Sequence, residues 1–289
     1  MWTDSDRAAY DRWGLDMESS KALDRYRVPD TGLCWWCREQ SASTAEHRFK
    51  ATDLRQMADV TSSCHPDPSS IFHVGSSYNG VLKTVKKGNA VRWSKSLCKD
   101  CNGGRDHKMD ASYERYSDYV WNHQNELATA RVIDWKVLYG VEWRVWVVDL
   151  ARYFTKQLGC LLSQQSLPVP DEIIEFMDDK KEVRCLSFEI LRDSGRLEFH
   201  RMAVERGQDG RGIWMPQAYG WPSRVGDRIE IMGCETYIGF VGMRVEYDAN
   251  KRRSSIFSAR RYKIEDVTCV EPHEVRKIIS AEIAKQHAG

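Results

Sequence analysis

Four cysteines of this chain form two CxxC pairs that lie in distant segments. The first pair is Cys34 and Cys37, and the second is Cys98 and Cys101. Two such pairs supply the four thiolates that Zn²⁺ prefers in a closed, tetrahedral structural site. A single CxxC is also typical of thiol oxidoreductases, but a redox pair does not account for the second CxxC. The spacing therefore predicts a structural zinc ion that holds two segments of the chain together.

Three further residues beside these cysteines have side chains suited to catalysis. Glu46 and His47 are adjacent and lie between the two CxxC pairs, and Asn102 directly follows the last cysteine. A carboxylate and a carboxamide provide oxygen ligands for a hard cation such as Mg²⁺ or Mn²⁺. An imidazole, whose ordinary pKa is about 6.5, can act as a general base near neutral pH. We therefore expect a second, oxygen-ligated metal site next to the zinc.

In order and spacing, these residues resemble the HNH endonucleases of the ββα-metal, or His-Me finger, group, over residues 30–120. The resemblance implies a zinc-stabilised ββα-metal module in which His47 activates water while Glu46 and Asn102 hold one Mg²⁺ or Mn²⁺ ion. It also implies hydrolysis of DNA phosphodiester bonds, with the cysteine-bound zinc as a structural element. The alternative is a catalytically inactive module of this type that binds nucleic acid or a protein partner.

The family also has an asparagine that orients the catalytic histidine, several residues before the second CxxC. In this chain Ser94 and Ser96 occupy that stretch, and Asn89 lies further away. The resemblance therefore names no residue that orients His47.

Basic residues are concentrated at 83–108, a window that contains the second CxxC. Lys and Arg neutralise backbone phosphates without reading base sequence, so this window predicts contact with DNA, which we expect to be double-stranded. The candidate phosphate contacts are Arg48, Lys50 and Arg105. An ion pair between Arg105 and Asp110 is an equally good interpretation, and for Arg48 and Lys50 the alternative is a solvated strand end.

The residues before 126 are predicted to form one unit, 1–125, in which N-terminal helices pack on the HNH-like module. Hydrophobic spacing predicts one or two amphipathic helices within residues 4–28. The other predicted elements are an extended segment at 44–50, a helix at 52–60, a hairpin of 81–86 and 91–97, and a helix from Met109 that buries Tyr113, Tyr116, Val120 and Trp121.

Residues 126–289 are predicted to form a separate α+β domain, suited to specificity or to contact with a protein partner or a second copy of the chain. A long apolar helix is expected at 141–162, and Pro170 is well placed to open a helix that ends at Met177. Alternating patterns predict a mainly antiparallel sheet. Its strands are expected at 183–191, 196–202, 228–232, 236–247 and 255–262, followed by a C-terminal helix at 272–286.

The composition predicts a folded protein that does not cross a membrane. Hydrophobic residues make up 42% of its 289 residues, yet no stretch approaches the roughly 20 apolar residues of a membrane span. Because residues 1–27 contain no apolar segment typical of a signal peptide, we expect a cytoplasmic location. Metal binding then explains the CxxC pairs better than disulfides do. The other cysteines are predicted core residues, namely Cys64, Cys160, Cys185, Cys234 and Cys269.

Overall fold

The computed structural model describes most of the chain between residues 21 and 277. The described ranges are 21–57, 72–74, 79–81, 91–178, 184–207, 211–215, 219–223, 226, 228–250, 259–269, 271–273 and 275–277. Some predictions therefore lie outside the described residues: most of the helices at 4–28, Cys64, the strand at 81–86 beyond Val81, the first half of the strand at 255–262, and the helix at 272–286 beyond residue 277.

Two antiparallel strands followed by a helix form the centre of the first half. Strand β1 (Thr44–His47) pairs with β4 (Arg92–Leu97), so that His47 lies opposite Arg92 and Thr44 opposite Leu97. The chain thus runs from the first CxxC pair through β1 and β4 to the second CxxC pair and then into a helix. The remaining elements are helix α1 (Lys21–Asp24), helix α2 (Ala51–Met57), the paired strands β2 (Phe72–Val74) and β3 (Asn79–Val81), a helical turn at Asp100–Gly104, and helix α3 (His107–Asn122).

Helix α3 buries the face that its sequence predicts. Tyr113, Tyr116, Val120 and Trp121 are all buried. The same face holds α2 through the fully buried Asp53, whose carboxylate accepts hydrogen bonds from Tyr113 Oη at 2.7 Å, from Trp121 Nε1 at 3.4 Å and from the Ser117 hydroxyl. Burial raises the pKa of Asp53, and these donors oppose that effect. The interaction fixes the segment directly after His47 on α3.

A long, buried helix connects the two halves of the molecule. Helix α6 (Trp143–Gln164) confirms the apolar helix predicted at 141–162, and α7 (Asp171–Met177) begins directly after Pro170 as predicted. Along α6, every side chain from Asp149 to Leu162 is buried. The shorter elements before it are α4 (Gln124–Leu127), β5 (Val132–Asp134), α5 (Trp135–Tyr139) and a 3-10 turn at Gly140–Glu142.

The second half contains a mainly antiparallel sheet, as predicted, and this sheet has seven strands where five were predicted. Six strands follow one another in the order β5-β11-β6-β10-β9-β7, and β8 also pairs with β9. Among the described strands, β11 and β6 form the one parallel pair. The elements not yet given are β6 (Leu186–Asp193), α8 (Ser194–Glu205), β7 (Ile213–Trp214), β8 (Tyr219–Pro222), β9 (Ile229–Ile238), β10 (Val241–Asp248) and β11 (Arg261–Val267).

Two strand predictions in this half are wrong. Residues 196–202 lie in helix α8, because Asp193 caps its N-terminus: its Oδ1 accepts a hydrogen bond from the Arg196 amide at 2.7 Å. The predicted strand at 236–247 is divided between β9 and β10 by a tight turn, in which Gly239 has φ +60°. Because apolar residues lie on both sides of that turn, the hydrophobic pattern continues across it and does not predict it.

The two halves share a hydrophobic core. Trp93 and Tyr113 from the first half belong to the same buried cluster as Phe154 and Phe188 from the second. The division into 1–125 and 126–289 stays a prediction, and the packing is continuous across it. In the described part of the chain, no helix combines the length and apolar character that a membrane span requires.

Candidate active site

The four cysteines of the two CxxC pairs lie together. Their Sγ atoms all fall within 4.8 Å of one another, and the sulfurs of Cys37 and Cys98 are 3.8 Å apart. A tetrahedral site with Zn–S distances of about 2.3 Å places its sulfurs about 3.8 Å apart. All four are free thiols, and three of them are buried. The residues present therefore fit a structural metal ion such as zinc.

The electrostatics of the cluster also suit a metal. Burial works against a thiolate at Cys37, but the backbone amides of Gln40 and Glu39 donate hydrogen bonds to it and lower the Cys37 pKa to about 7. Burial, together with the nearby charge of Cys34, raises the pKa of Cys101. Four thiols packed this closely cannot all ionise without a cation among them, and a bound metal would supply that cation.

The cysteine cluster docks onto the second half of the chain through Asp178. Trp36 Nε1 donates to Asp178 Oδ1 at 2.8 Å, and Arg105 Nη2 donates to the same oxygen at 2.7 Å. The Arg105 guanidinium also lies over the Trp36 ring, 4.7 Å from its centroid, and donates to Cys101 Sγ at 3.9 Å. The ion-pair partner of Arg105 is thus Asp178 and not Asp110.

A cavity of about 530 Å³ opens beside the cluster, between β1, β4 and the start of α3. It brings together four of the predicted site residues, Glu46, His47, Lys50 and Asn102. The remaining lining residues are Ser43, Thr44, Ala45, Arg92, Lys95, Gly103, Asp106, His107 and Asp110. The cavity therefore combines imidazoles, carboxylates and basic groups in one place.

His47 is held on two sides. Its Nε2 receives hydrogen bonds from Arg92 Nε at 3.2 Å and Arg92 Nη2 at 3.0 Å, while its carbonyl oxygen accepts from Gln157 Nε2 at 3.0 Å. Partial burial and then the positive charges of Arg92 and Lys50 lower the His47 pKa to about 4. The imidazole is therefore neutral throughout the physiological pH range.

Glu46 is buried against a lysine from the second half of the chain. Lys156 Nζ, fully buried on α6, lies 3.0 Å from Glu46 Oε2, 2.8 Å from Asp106 Oδ2 and 3.9 Å from Asp110 Oδ1. Burial alone would lower the Lys156 pKa, but the charges of Glu46, Asp110 and Asp106 raise it above its ordinary value. A fixed ammonium therefore already pairs with one carboxylate oxygen of Glu46.

Asn102 is positioned by the end of β1. Its Nδ2 donates to Thr44 Oγ1 at 3.1 Å, and that hydroxyl in turn donates to the Leu97 carbonyl at 2.9 Å. The chain then turns at Gly103, whose φ of +142° suits only glycine, before α3 begins. Because Thr44 engages the amide nitrogen, the amide oxygen of Asn102 is the atom suited to a cation.

The basic residues predicted to contact phosphate separate into two groups. Lys50 lines the cavity and forms an ion pair with Asp110. Arg48 lies outside it: its guanidinium is 4.3 Å from the centroid of a Trp93 ring and donates to Gln164 at 3.0 Å. Arg105 likewise lies outside the cavity lining, and the phosphate contacts of all three residues stay predictions.

Sequence reasoning missed Lys156 and Arg92, which touch Glu46 and His47 directly. Lys156 could have been found, because a lysine in the middle of an apolar helix needs a buried partner. Arg92 lies in a predicted strand, and His47 lies in another predicted extended segment. Only the register of β1 against β4 shows that the two residues face each other.

No family model, no curated protein and no solved structure matches this chain. The resemblance to HNH endonucleases therefore rests on the motif residues alone.

Proposed function

We propose that this protein is a divalent-cation-dependent endonuclease that hydrolyses phosphodiester bonds of DNA, with His47 as the general base. One observation carries the proposal. Glu46, His47 and Asn102 line a single cavity between two antiparallel strands and a helix, beside a four-cysteine cluster. This arrangement supports the HNH-like module that the motif order predicts.

In this mechanism His47 removes a proton from the attacking water. The imidazole is suited to the task because it is neutral. The backbone carbonyl of His47 accepts a hydrogen bond from Gln157, which holds the backbone of this residue at the cavity. Its lowered pKa makes it a weaker base than a free histidine.

Glu46 and Asn102 are the residues that would hold Mg²⁺ or Mn²⁺, through a carboxylate and an amide oxygen. When bound, such a cation supplies Lewis-acid stabilisation of the phosphate and of the leaving 3′-oxygen. Lys50 and Lys95 line the same cavity and would attract the DNA backbone. The Lys156 ammonium limits Glu46 to one free carboxylate oxygen.

The cysteine cluster has a structural role in this proposal. Its zinc would fix the segment before β1 against the end of β4, which places Asn102 near Thr44. None of the cysteines that the structure describes lines the cavity, so the metal of the cluster would be separate from the chemistry.

A second candidate function is a zinc module that binds DNA or a protein partner without cleavage. Two contacts favour it: Lys156 occupies one oxygen of Glu46, and Arg92 occupies Nε2 of His47. These contacts reduce the capacity of Glu46 to bind a metal ion and the capacity of His47 to accept a proton from water.

Nicking of supercoiled plasmid with Mg²⁺ or Mn²⁺ separates these candidates. Loss of a general base lowers rates by about 10²–10⁴-fold, so His47→Ala should lose at least about 100-fold. His123→Gln is the matched control, since His123 lies at the end of α3 and outside the cavity lining. Equal cleavage by wild type and His47→Ala, or no cleavage with either cation, would contradict the enzyme proposal. DNA binding by an inactive wild type would then support the second candidate.

A further inference from the structure

Arg92 and His47 form a contact that the proposed chemistry leaves unexplained. They face each other across the β1–β4 pair, and two nitrogens of the guanidinium lie 3.2 and 3.0 Å from His47 Nε2. Arginine has donors but no acceptor, so Nε2 must be the acceptor and the ring proton of neutral His47 is on Nδ1. The contact therefore uses the one lone pair with which His47 could accept a proton.

The guanidinium has reason to leave this position when a phosphate arrives. A phosphate offers two negatively charged oxygens that match the fork of arginine, whereas neutral His47 offers a single uncharged acceptor. Arg92 is only partly buried and lines the same cavity as Lys50 and Lys95. Among the described residues, no carboxylate forms an ion pair with it.

We propose that Arg92 is a substrate-responsive cover of the catalytic base. In the free protein its guanidinium occupies Nε2 of His47, and in the complex it binds a backbone phosphate of DNA and releases that lone pair for the attacking water. This inference rests on the proposed function, and it adds a substrate-binding residue that also prevents His47 from acting before DNA is bound. No covalent bond is made or broken in the exchange, because the N–H donors of Arg92 only change their hydrogen-bond acceptor.

Carbethoxylation with diethyl pyrocarbonate tests the cover, because this reagent attacks a free imidazole lone pair. His107 is an internal reference, since it is exposed and lines the same cavity. Without DNA or added cation, the ratio of His47 to His107 modification should rise about tenfold in Arg92→Met, which corresponds to about 1.4 kcal/mol. Lys95→Met removes a charge from the same strand and should leave the ratio unchanged. An unchanged ratio in Arg92→Met overturns the cover.

Binding of a labelled DNA duplex without divalent cation tests the phosphate contact. By fluorescence anisotropy, Arg92→Met should bind about tenfold more weakly than wild type, the effect of one lost charge-assisted contact. Lys136→Met, which removes an exposed charge on α5 outside the cavity lining, should bind as wild type does. Wild-type affinity of Arg92→Met overturns the phosphate role.

These two measurements are separable from the nuclease proposal. Neither measurement needs cleavage. A protein that shows both effects but cuts no DNA would support the inference about Arg92 and contradict the nuclease proposal. Arg92→Lys is the second variant if Arg92→Met does not fold. Its ammonium keeps the charge but lacks the fork, so an increase of the modification ratio is still expected, and its absence in a folded Arg92→Lys counts against the cover.

Discussion

Replacement of Lys156 by methionine tests whether the second half of the chain holds the candidate site together. The lysine side chain is fully buried, and its ammonium lies 2.8 Å from Asp106 and 3.0 Å from Glu46, which are themselves buried. Lys156→Met keeps the apolar length of the side chain but leaves two carboxylates without a cation. Removal of one partner from a buried ion pair costs about 3–5 kcal/mol, chiefly because the remaining charge is desolvated.

The expected change in melting temperature follows from the size of the protein. Unfolding entropy is about 2.1 cal/mol/K per residue, which gives about 0.6 kcal/mol/K for 289 residues that unfold cooperatively. A loss of 3–5 kcal/mol then lowers Tm by about 5–8 °C. Urea titration followed by tryptophan fluorescence measures the free energy directly, and circular dichroism gives the melting temperature.

Two comparisons make the Lys156 result specific. Lys95→Met removes an exposed lysine from the rim of the same cavity and should change stability by about 0.5 kcal/mol or less. Glu46→Gln in the Lys156→Met background removes one of the two uncompensated charges, and a coupling of about 0.5–3 kcal/mol is expected for groups in contact. The reasoning is refuted if Lys156→Met lowers the free energy of unfolding by less than about 1 kcal/mol, or by no more than Lys95→Met does. The buried charge cluster would then not stabilise this site.

Three further predictions concern the metal, the base and a packing contact. The purified protein should contain one zinc ion per chain by mass spectrometry, and Cys98→Ser should lower that content and the melting temperature together, since structural zinc contributes folding energy directly. The His47 ring should titrate near pH 4 by NMR, and a titration midpoint above pH 6 would contradict the burial argument. Because the unfolded chain takes up this proton near pH 6.5, the free energy of unfolding should decrease as the pH falls from about 6.5 to about 4. Gly159→Ala should lower the free energy of unfolding by about 1–3 kcal/mol despite the higher helix propensity of alanine, because the new Cβ would lie 2.5 Å from the Trp35 ring. In the control Gly104→Ala the new Cβ meets no atom within 4 Å, so urea titration should show no such loss.

The sequence predicts those features of the site that depend on local pattern and motif order. The CxxC spacing correctly groups Cys34 with Cys98, and the spacing of Tyr113, Tyr116 and Val120 correctly predicts the buried face of α3. Cys160 and Cys234 are buried as predicted, whereas Cys185 and Cys269 are only partly buried. These features follow from ligand chemistry and helical periodicity, which short segments already contain.

Features that depend on tertiary contacts could not be obtained in the same way. The strand prediction at 196–202 failed because the cap at Asp193 outweighs a weak alternating pattern. Arg92 acquires its role only from the register of β1 against β4, which no short segment determines. Lys156 lies in an apolar helix far along the chain from Glu46, and only the packing of that helix brings them together.

The contacts of α6 suggest how the predicted second domain can influence the chemistry. Two adjacent residues of this helix meet two adjacent residues of β1: Lys156 binds the Glu46 carboxylate, and Gln157 binds the His47 carbonyl at 3.0 Å. Gln157 also accepts a hydrogen bond from Trp93 Nε1 at 2.6 Å, so it contacts both strands. A shift of α6 by a fraction of a turn would move both site residues together. If the proposed function holds, a displacement of this helix would therefore alter the geometry of the proposed metal ligand and of the proposed base without any contact with the cavity itself.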